Sequence, residues 1–237
     1  MKALILNSGI GSRMGSLTSD KPKCMVSLNE SETILSRQIK QLLEVGVSDF
    51  VITIGPFGEL IPNYIQEVYP DISVIYIRNN LYAETNYIYS MYLARDFIQE
   101  ELILLHGDIV MEKGVLVDIL EDSRENLVVV DKSAVLPEKD FKCAIHNEFV
   151  QEIGVSLTVQ SPQVFLLPVY KLSKKFMLDW LKEIERFVSE GKTKVYAENA
   201  FNTISDTMNL EIFDISGDFC MEVDTLDDLS VAKKRAI

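Results

Sequence analysis

The sequence predicts an α/β fold whose central sheet is mixed but mainly parallel, with helices on both faces. One observation is that short apolar runs alternate with segments of helical spacing through the first 80 residues. Another is that the runs at 3–6 and 50–54 each end in a glycine loop, at Gly9 and Gly55. Because open α/β sheets bind ligands beyond the carboxyl ends of their strands, we expect these loops at a ligand site.

The elements of the first half follow from their residue patterns. The apolar residues Ile34, Leu35, Ile39 and Leu42 recur at helical spacing, and Gly46 follows them as a helix stop. Continuous apolar runs bounded by turn residues indicate buried strands. The predicted strands of this half span 3–6, 50–54, 72–77 and 102–105, and the predicted helices span 33–45, 59–68 and 87–97.

The second half has a less regular order of elements. Runs at 142–145 and 149–155, separated by His146 and Asn147, predict an antiparallel pair over the ligand cleft. The alternation at 210–215 predicts another strand, and Asp131, at the end of a run, either ends a strand or touches substrate. The other predicted elements are strands at 127–130 and 164–168, helices at 116–120 and 171–188, and a helix after Thr225.

Length and composition limit the functional classes. A chain of 237 residues suits one domain, 1–237. It has 23 Lys and Arg against 36 Asp and Glu, a formal net charge of −13, which argues against nucleic acid or a membrane surface as a partner. No signal peptide or long apolar stretch is apparent, so we expect a cytoplasmic protein. The three cysteines are far apart and predict buried thiols. Whether the protein forms a homodimer is left open by the sequence.

The first 28 residues carry the most informative pattern. A buried strand breaks into Gly9-Ile10-Gly11, and the cations Arg13, Lys21 and Lys23 follow. Glycine allows backbone N–H groups to approach an anion, so this loop is a plausible cradle for a polyphosphate. A tight turn with ordinary surface cations is the simpler interpretation. A dinucleotide-binding fingerprint and a P-loop are disfavoured, because Met14 holds the third glycine position, Pro22 would break the helix and no G-K-[ST] occurs.

The segments L-N-S-G-I-G-S-R-M, L-T and K-P-K resemble the signature loop of nucleotidyltransferases that act on phosphorylated small molecules. In that pattern Ala-Ala stands where this chain has Asn7-Ser8, and Pro stands at Ser16; both changes could alter contacts to the base. The resemblance implies a Rossmann-like, three-layer α/β/α fold of GT-A type. It also implies a nucleotide-binding half at about 1–110, an acceptor-binding half at about 111–237, and nucleotide contacts from Leu6, Asn7, Ser8, Gly9, Gly11, Ser12, Arg13 and Gly55.

A polar segment before the third helix supports a cytidylyltransferase. Asn86 and Ser90 lie one turn apart on one helix face, although capping of the helix by Thr85 and Asn86 explains the pattern equally well. The segment resembles N-x-x-S-x-x-x-A in phosphocholine-type cytidylyltransferases. That resemblance implies that Asn86 and Ser90 bind the nucleotide.

Two distant carboxylates are candidate metal ligands. Asp108 ends a buried strand, where it either caps the next helix or needs a cation. The chain also contains E-V-D-T-L-D-D-L, which resembles the terminal segment of the family and in which Glu222 and Asp224 share a face. By this resemblance Asp108 and Asp224 hold Mg²⁺, whereas His106 is expected to be a packed strand-end histidine.

The acceptor site is predicted from weaker signals. By resemblance Tyr196 and Glu198 face the acceptor, although Glu198 also suits the start of a helix. Tyr82 and Tyr87 could join them around an ammonium group, but aromatic residues at helical spacing usually belong to a core. These residues leave the head group of the acceptor open.

The sequence lacks a convincing Ser/His/Asp or Cys/His set, which fits a reaction without a protein nucleophile. The resemblance implies CTP as donor, a small phosphorylated acceptor such as phosphocholine, and catalytic roles for Arg13, Lys23 and Asp108. Arg13 would hold the triphosphate, and Lys23 would stabilise the transferring phosphoryl group and bind the acceptor. Alternatives are phosphoethanolamine, phosphoglutamine-like or sugar-1-phosphate acceptors, and a regulatory nucleotide-sugar-binding subunit. Such subunits usually lack one of these charged residues.

Overall fold

The computed structural model describes residues 1–57 and 59–235. Its strands are β1 (Lys2–Asn7), β2 (Asp49–Ile54), β3 (Ser73–Arg78), β4 (Leu102–His106), β5 (Ile109–Met111), β6 (Leu127–Asp131), β7 (Lys142–His146), β8 (Phe149–Gly154), β9 (Gln163–Leu172), β10 (Glu211–Asp214) and β11 (Cys220–Glu222). Its α-helices are α1 (Ile34–Glu44), α2 (Leu60–Val68), α3 (Tyr87–Ala94), α4 (Lys113–Glu121), α5 (Lys174–Ser189), α6 (Ala197–Phe201) and α7 (Leu226–Arg235).

A mixed sheet runs through the molecule and confirms the predicted fold class. The nine strands lie in the order β3-β2-β1-β4-β9-β6-β10-β8-β7. The first four of these are parallel, with Leu4 of β1 opposite Val51 of β2 and Leu104 of β4. β9 is antiparallel to both β4 and β6. The carboxyl ends of β1 and β4 therefore lie side by side at one edge of the sheet.

Helices cover both faces of this sheet, and a third apolar cluster supports the glycine loop. The two main clusters bury the alternating side chains of β1, for example Leu4 on one face and Ile5 on the other. In the third cluster, Met14 and Val26 from the first 28 residues pack with Val110, Val223 and other residues. Burial of Met14 thus packs the glycine loop against Val223 and α7.

β9 is longer than the sequence predicts, and β5 is an unpredicted strand. β9 continues past Pro168, because Tyr170 and Lys171 still pair with β4, and the register against β6 shifts at this point. A bulge of this kind tolerates a proline, which cannot donate to the ladder. α5 therefore begins at Lys174 rather than at 171. β5 has only three residues and forms a small separate sheet with β11.

The remaining predicted elements are present with small changes in their bounds. β7 and β8 form the predicted antiparallel pair, at the far edge of the sheet. Asp131 ends β6 and accepts hydrogen bonds from residues 133 and 134, as a strand-end turn residue does. Cys24 and Cys143 are buried free thiols, and Cys220 is a partly buried one. Within the described residues, the helices are too short or too polar to cross a membrane.

Candidate active site

A cleft of about 380 Å³ opens at the carboxyl ends of β1 and β4. It brings together segments that are far apart in the chain, including the glycine loop, the end of β4, residues 139–141 and residues 222–224. Of the predicted site residues, the following line it: Leu6, Asn7, Gly9, Gly11, Ser12, Arg13, Lys23, Asn86, Asp108, Tyr196 and Asp224.

The glycine loop has a defined backbone conformation. Gly11 adopts the left-handed conformation with φ of 69°, and a Cβ at this position would lie 2.9 Å from the Cβ of Lys23. Glycine is therefore needed both for the dihedral angle and for the close approach to Lys23. The hydroxyl of Thr18 donates to the Gly11 carbonyl at 2.9 Å and closes the loop over a short 3₁₀ helix, Ser12–Thr18.

Lys23 joins the two predicted metal carboxylates. Its Nζ donates to Asp108 Oδ2 at 2.5 Å and to Asp224 Oδ1 at 2.7 Å. The other oxygen of Asp224 accepts from Arg13 Nη2 at 2.8 Å. The backbone N–H of Val223 donates to the Asp108 carbonyl at 2.9 Å, which ties the segment after β11 to the end of β4. Four residues spread over more than 200 positions thus form one ionic cluster.

The cluster keeps its members charged. Burial alone would lower the pKa of Lys23, but the carboxylates of Asp108 and Asp224 raise it above its usual value. Burial alone would raise the pKa of Asp108, but the neighbouring Lys23 ammonium lowers it. The second carboxylate oxygen of Asp108, Oδ1, is buried without a hydrogen-bond partner. A ligand or cation can therefore still be accepted at this carboxylate.

His106 and Glu222 add a histidine–carboxylate pair to the cleft. His106 Nδ1 lies 3.6 Å from Glu222 Oε1, and candidate ligand atoms of His106, Asp108 and Glu222 all lie within 4.8 Å of one another. Burial raises the pKa of Glu222. Neither residue was predicted from the sequence as a site residue. The alternation that put Glu222 on the same face as Asp224 was the available signal.

Aromatic side chains form one wall of the cleft. The rings of Tyr87 and His106 lie 4.7 Å apart between centroids, and those of Phe141 and Tyr196 lie 4.9 Å apart. Phe141 follows Lys139 and Asp140, which also line the cleft and were not predicted from the sequence. Most of this wall comes from α3 and from the second half of the chain, which also supplies Glu222 and Asp224 to the site.

Glu198 lies behind this wall and is not exposed at the cleft surface. Glu198 is 1% exposed. Its carboxylate accepts hydrogen bonds from the hydroxyl of Tyr87 and, at 2.9 Å, from the hydroxyl of Tyr170. The structure therefore places Glu198 in contact with cleft-lining Tyr87, whereas the predicted direct contact with an acceptor is not available from a buried position.

Ser8, Ser90 and Gly55 support the loop from behind. The hydroxyls of Ser8 and Ser90 lie 2.6 Å apart, and Asn79 Nδ2 donates to Ser90 at 3.0 Å. Ser90 is completely buried, so it links α3 to the loop rather than facing the cleft. A Cβ at Gly55 would lie 2.2 Å from the Ser8 carbonyl oxygen. Asn86 both lines the cleft and caps α3.

Comparisons with known proteins show the family of the chain and agree with its fold. A family model described as the MobA-like NTP transferase domain matches residues 3–174. The chain is 25% identical to the CTP:phosphoglutamine cytidylyltransferase of Campylobacter jejuni, over 98% of each chain. It is 24% identical to the choline-phosphate cytidylyltransferase of Haemophilus influenzae, over 96% of this chain and 94% of that protein. The solved structure of the CTP:phosphocholine cytidylyltransferase of Streptococcus pneumoniae superimposes with a TM-score of 0.81, at 21% identity, over 100% of this chain and 99% of the other.

Proposed function

Because the chain belongs to the family of MobA-like NTP transferase domains, we propose that it transfers a cytidylyl group from CTP to a small phosphorylated acceptor such as phosphocholine and releases pyrophosphate. The observation that carries the proposal is the Arg13–Asp224–Lys23–Asp108 cluster beside the glycine loop. The choice of a cytidylyl group is supported by two cytidylyltransferases that match this chain over almost its full length.

The glycine loop and Arg13 would bind the triphosphate. Backbone N–H groups of a glycine loop after a strand suit phosphate oxygens. Arg13 lines the same cleft and its side chain is 62% exposed, so it can turn from Asp224 to a phosphate. Leu6, Ser12 and Asn86 would complete the nucleotide site at the cleft surface, with Ser8, Ser90 and Gly55 holding the loop in place.

The reaction needs alignment and charge neutralisation rather than a side-chain nucleophile. An oxygen of the acceptor phosphate forms a bond to the α-phosphorus, the bond from that phosphorus to the β-phosphate oxygen breaks, and its electron pair leaves with pyrophosphate. Lys23, held within reach of Asp108 and Asp224, would neutralise the charge on the reacting phosphates and hold the acceptor phosphate. Burial of the cluster strengthens this electrostatic effect.

The carboxylates of Asp108 and Asp224 suit Mg²⁺. They bind the same ammonium group, so they lie close together, and Asp108 Oδ1 has no partner. Carboxylate oxygens are the ligands that Mg²⁺ prefers. Bound there, the ion would supply positive charge that stabilises the reacting phosphate. Glu222 lies close enough to Asp108 to contribute a further oxygen.

The aromatic wall suits a nitrogen-containing head group on the acceptor. Tyr87, Phe141 and Tyr196 offer ring faces and edges, and Glu222 offers a buried acidic group nearby. Such a combination attracts an ammonium group by cation–π and charge interactions. A phosphorylated amino acid amide is the second candidate, because one near-full-length relative is a phosphoglutamine enzyme.

The test is a matrix of four nucleoside triphosphates against phosphocholine, phosphoethanolamine, phosphoglutamine and sugar-1-phosphates, with pyrophosphate release as the readout. We expect release with CTP and one of the nitrogen-containing acceptors. Release only with a sugar-1-phosphate, or with a triphosphate other than CTP, would contradict the proposal. The Asp108→Asn variant serves as the background control.

A further inference from the structure

Asn7 is one of the residues of the glycine loop that depart from the family pattern, in which alanine stands at this position. It ends β1 and lines the cleft, and it is only 7% exposed. Its backbone N–H donates to Thr53 Oγ1 of β2 at 3.0 Å. The backbone at residue 7 is therefore fixed by this hydrogen bond. The carboxamide group of the side chain is the part that an alanine would lack.

The side chain of Asn7 lies across Gly107. A Cβ at residue 107 would lie 1.7 Å from Asn7 Oδ1 and 2.5 Å from Asn7 Cγ. Glycine at 107 thus leaves the space that the asparagine amide occupies. Asp108, the carboxylate at the centre of the ionic cluster, follows immediately in the chain.

The amide nitrogen of Asn7 is a donor without an acceptor. Among the described residues, four buried side-chain polar atoms have no partner, and three of them belong to the cleft residues Asn7, His106 and Asp108. An unpaired buried polar group is destabilising, because it has lost its hydrogen bonds to water without gaining new ones. Two of these atoms, Asn7 Nδ2 and Asp108 Oδ1, are a donor and an acceptor that flank Gly107.

We propose that the side-chain amide of Asn7 donates a hydrogen bond to a non-bridging oxygen of the α-phosphate. This inference rests on the proposed function. The reacting phosphate must approach Asp108 and Asp224, and the amide lies against Gly107, the residue that precedes Asp108 in the chain. A phosphate oxygen is a strong anionic acceptor that satisfies the donor, whereas alanine offers no such bond.

The experiment compares the wild type with Asn7→Ala, using CTP and the two diastereomers of its α-phosphorothioate. Hydrogen bonds to charged groups are worth about 1.5–3 kcal/mol, so kcat/KM for CTP should fall roughly 10- to 150-fold in the variant. The wild type should react more slowly with one diastereomer, and Asn7→Ala should lose most of that discrimination. An unchanged kcat/KM, or discrimination equal to that of the wild type, would overturn the inference.

A second measurement tests the contact between Asn7 and CTP independently of the proposed reaction. In protein labelled with ¹⁵N-asparagine, CTP with Mg²⁺ and no acceptor should shift the Asn7 side-chain amide resonance and leave that of Asn126 in place. The side chain of Asn126 accepts a hydrogen bond from the backbone N–H of Ser173, the N-cap residue of α5, and does not line the cleft. It is therefore the matched control. A shift at Asn7, combined with no pyrophosphate release from any acceptor of the matrix above, would contradict the proposed function alone. No shift at Asn7 while other cleft resonances move would overturn the inference on Asn7.

Discussion

Lys23 is the side chain on which the charge balance of the cleft depends. It is the cation that both Asp108 and Asp224 share, and only 15% of its side chain is exposed. Loss of one partner from a buried ion pair leaves the other charge uncompensated, and this costs more than the pair itself contributes. Substitutions here therefore need a readout of chemistry together with a readout of folding.

We expect Lys23→Ala to lower turnover by about 10² or more, because it removes charge from the reacting phosphates. Pyrophosphate release under saturating CTP measures the effect, and circular dichroism checks folding. Lys175→Ala is the charge-matched control, since Lys175 lies on α5 with a side chain 86% exposed. A folded Lys23→Ala protein with wild-type turnover would refute the catalytic role.

Asp108→Asn is expected to lower turnover by a similar factor of about 10² and to raise the Mg²⁺ concentration needed for the half-maximal rate. The amide keeps the shape of the side chain but loses its charge. The measurement is the rate as a function of Mg²⁺, with Asp118→Asn on the exposed face of α4 as control. If the Mg²⁺ dependence matched that of the control, Asp108 would not be a metal ligand.

The sequence predicted which charged residues come together better than how deep each residue lies. Arg13, Lys23, Asp108 and Asp224 do meet in one cleft, and their roles stay predictions. By resemblance Glu198 was expected to face the acceptor, but it is buried, because a motif gives the position of a residue in the chain and not the layers that cover it. Its burial depends on hydroxyls from α3 and β9, which no local pattern reveals.

At the scale of elements, the glycine loop depends on the end of β2. Gly55→Ala should destabilise the protein by roughly 1–3 kcal/mol, because the added Cβ overlaps the Ser8 backbone and the loop must shift. Urea unfolding measures the change. Gly114→Ala is the matched control: a Cβ there meets nothing within 4 Å, so helix propensity should leave α4 slightly more stable. Equal stability of the two variants would contradict this account.

The connection from α4 to β6 is held by an ion pair with a clear pH dependence. Arg124 donates to both oxygens of Asp122, at 3.0 and 2.7 Å, and to the Ile212 carbonyl of β10 at 3.2 Å. These bonds lower the pKa of Asp122 to about 2. Because the folded-state pKa is below the unfolded one, this stabilisation is present above about pH 4 and is lost as the pH falls toward about 2.

We therefore expect Arg124→Ala to unfold more easily than the wild type at neutral pH, by about 1 kcal/mol at most for the partly exposed pair. The difference should shrink between about pH 4 and pH 2, as Asp122 becomes protonated. Chemical denaturation at several pH values tests this. If the stability difference between the wild type and Arg124→Ala grew on acidification, the predicted direction of the pH dependence would be wrong.

Strongly periodic elements were predicted well, and elements defined by distant partners were not. α1 carries its own apolar stripe and a capping box between Thr33 and Ser36, so its bounds are encoded locally. β5 exists only because Cys220–Glu222 pairs with it, more than 100 residues later. The end of β9 likewise depends on β4 and on a bulge opposite β6.

At the scale of the whole molecule, the two halves of the chain share one sheet. β9 from the second half pairs with β4 from the first half, so the strands of the two halves form one continuous sheet. The proposed division into a nucleotide-binding and an acceptor-binding half is therefore a division of the cleft surface. The two halves do not have separate cores, since both main apolar clusters contain residues from each.

Ligand binding should therefore stabilise the whole fold. At a concentration about 100 times its Kd, CTP with Mg²⁺ should add roughly 2.7 kcal/mol, which raises Tm by about 5–10 °C for a chain of this size. Thermal unfolding with each nucleoside triphosphate in turn is the measurement. A shift of equal size with all four would argue against selection of the cytosine base.

Trp180 is the one tryptophan of the chain and is 2% exposed. Its indole N–H donates to the Ala197 carbonyl at 3.0 Å, and Ala197 directly follows Tyr196 in the cleft wall. The protein thus carries a single tryptophan, which is hydrogen-bonded to the first turn of α6. The fluorescence emission of Trp180 can be followed by stopped flow without any label. Under the proposed function, it would report binding of the acceptor separately from binding of CTP on the opposite side of the cleft.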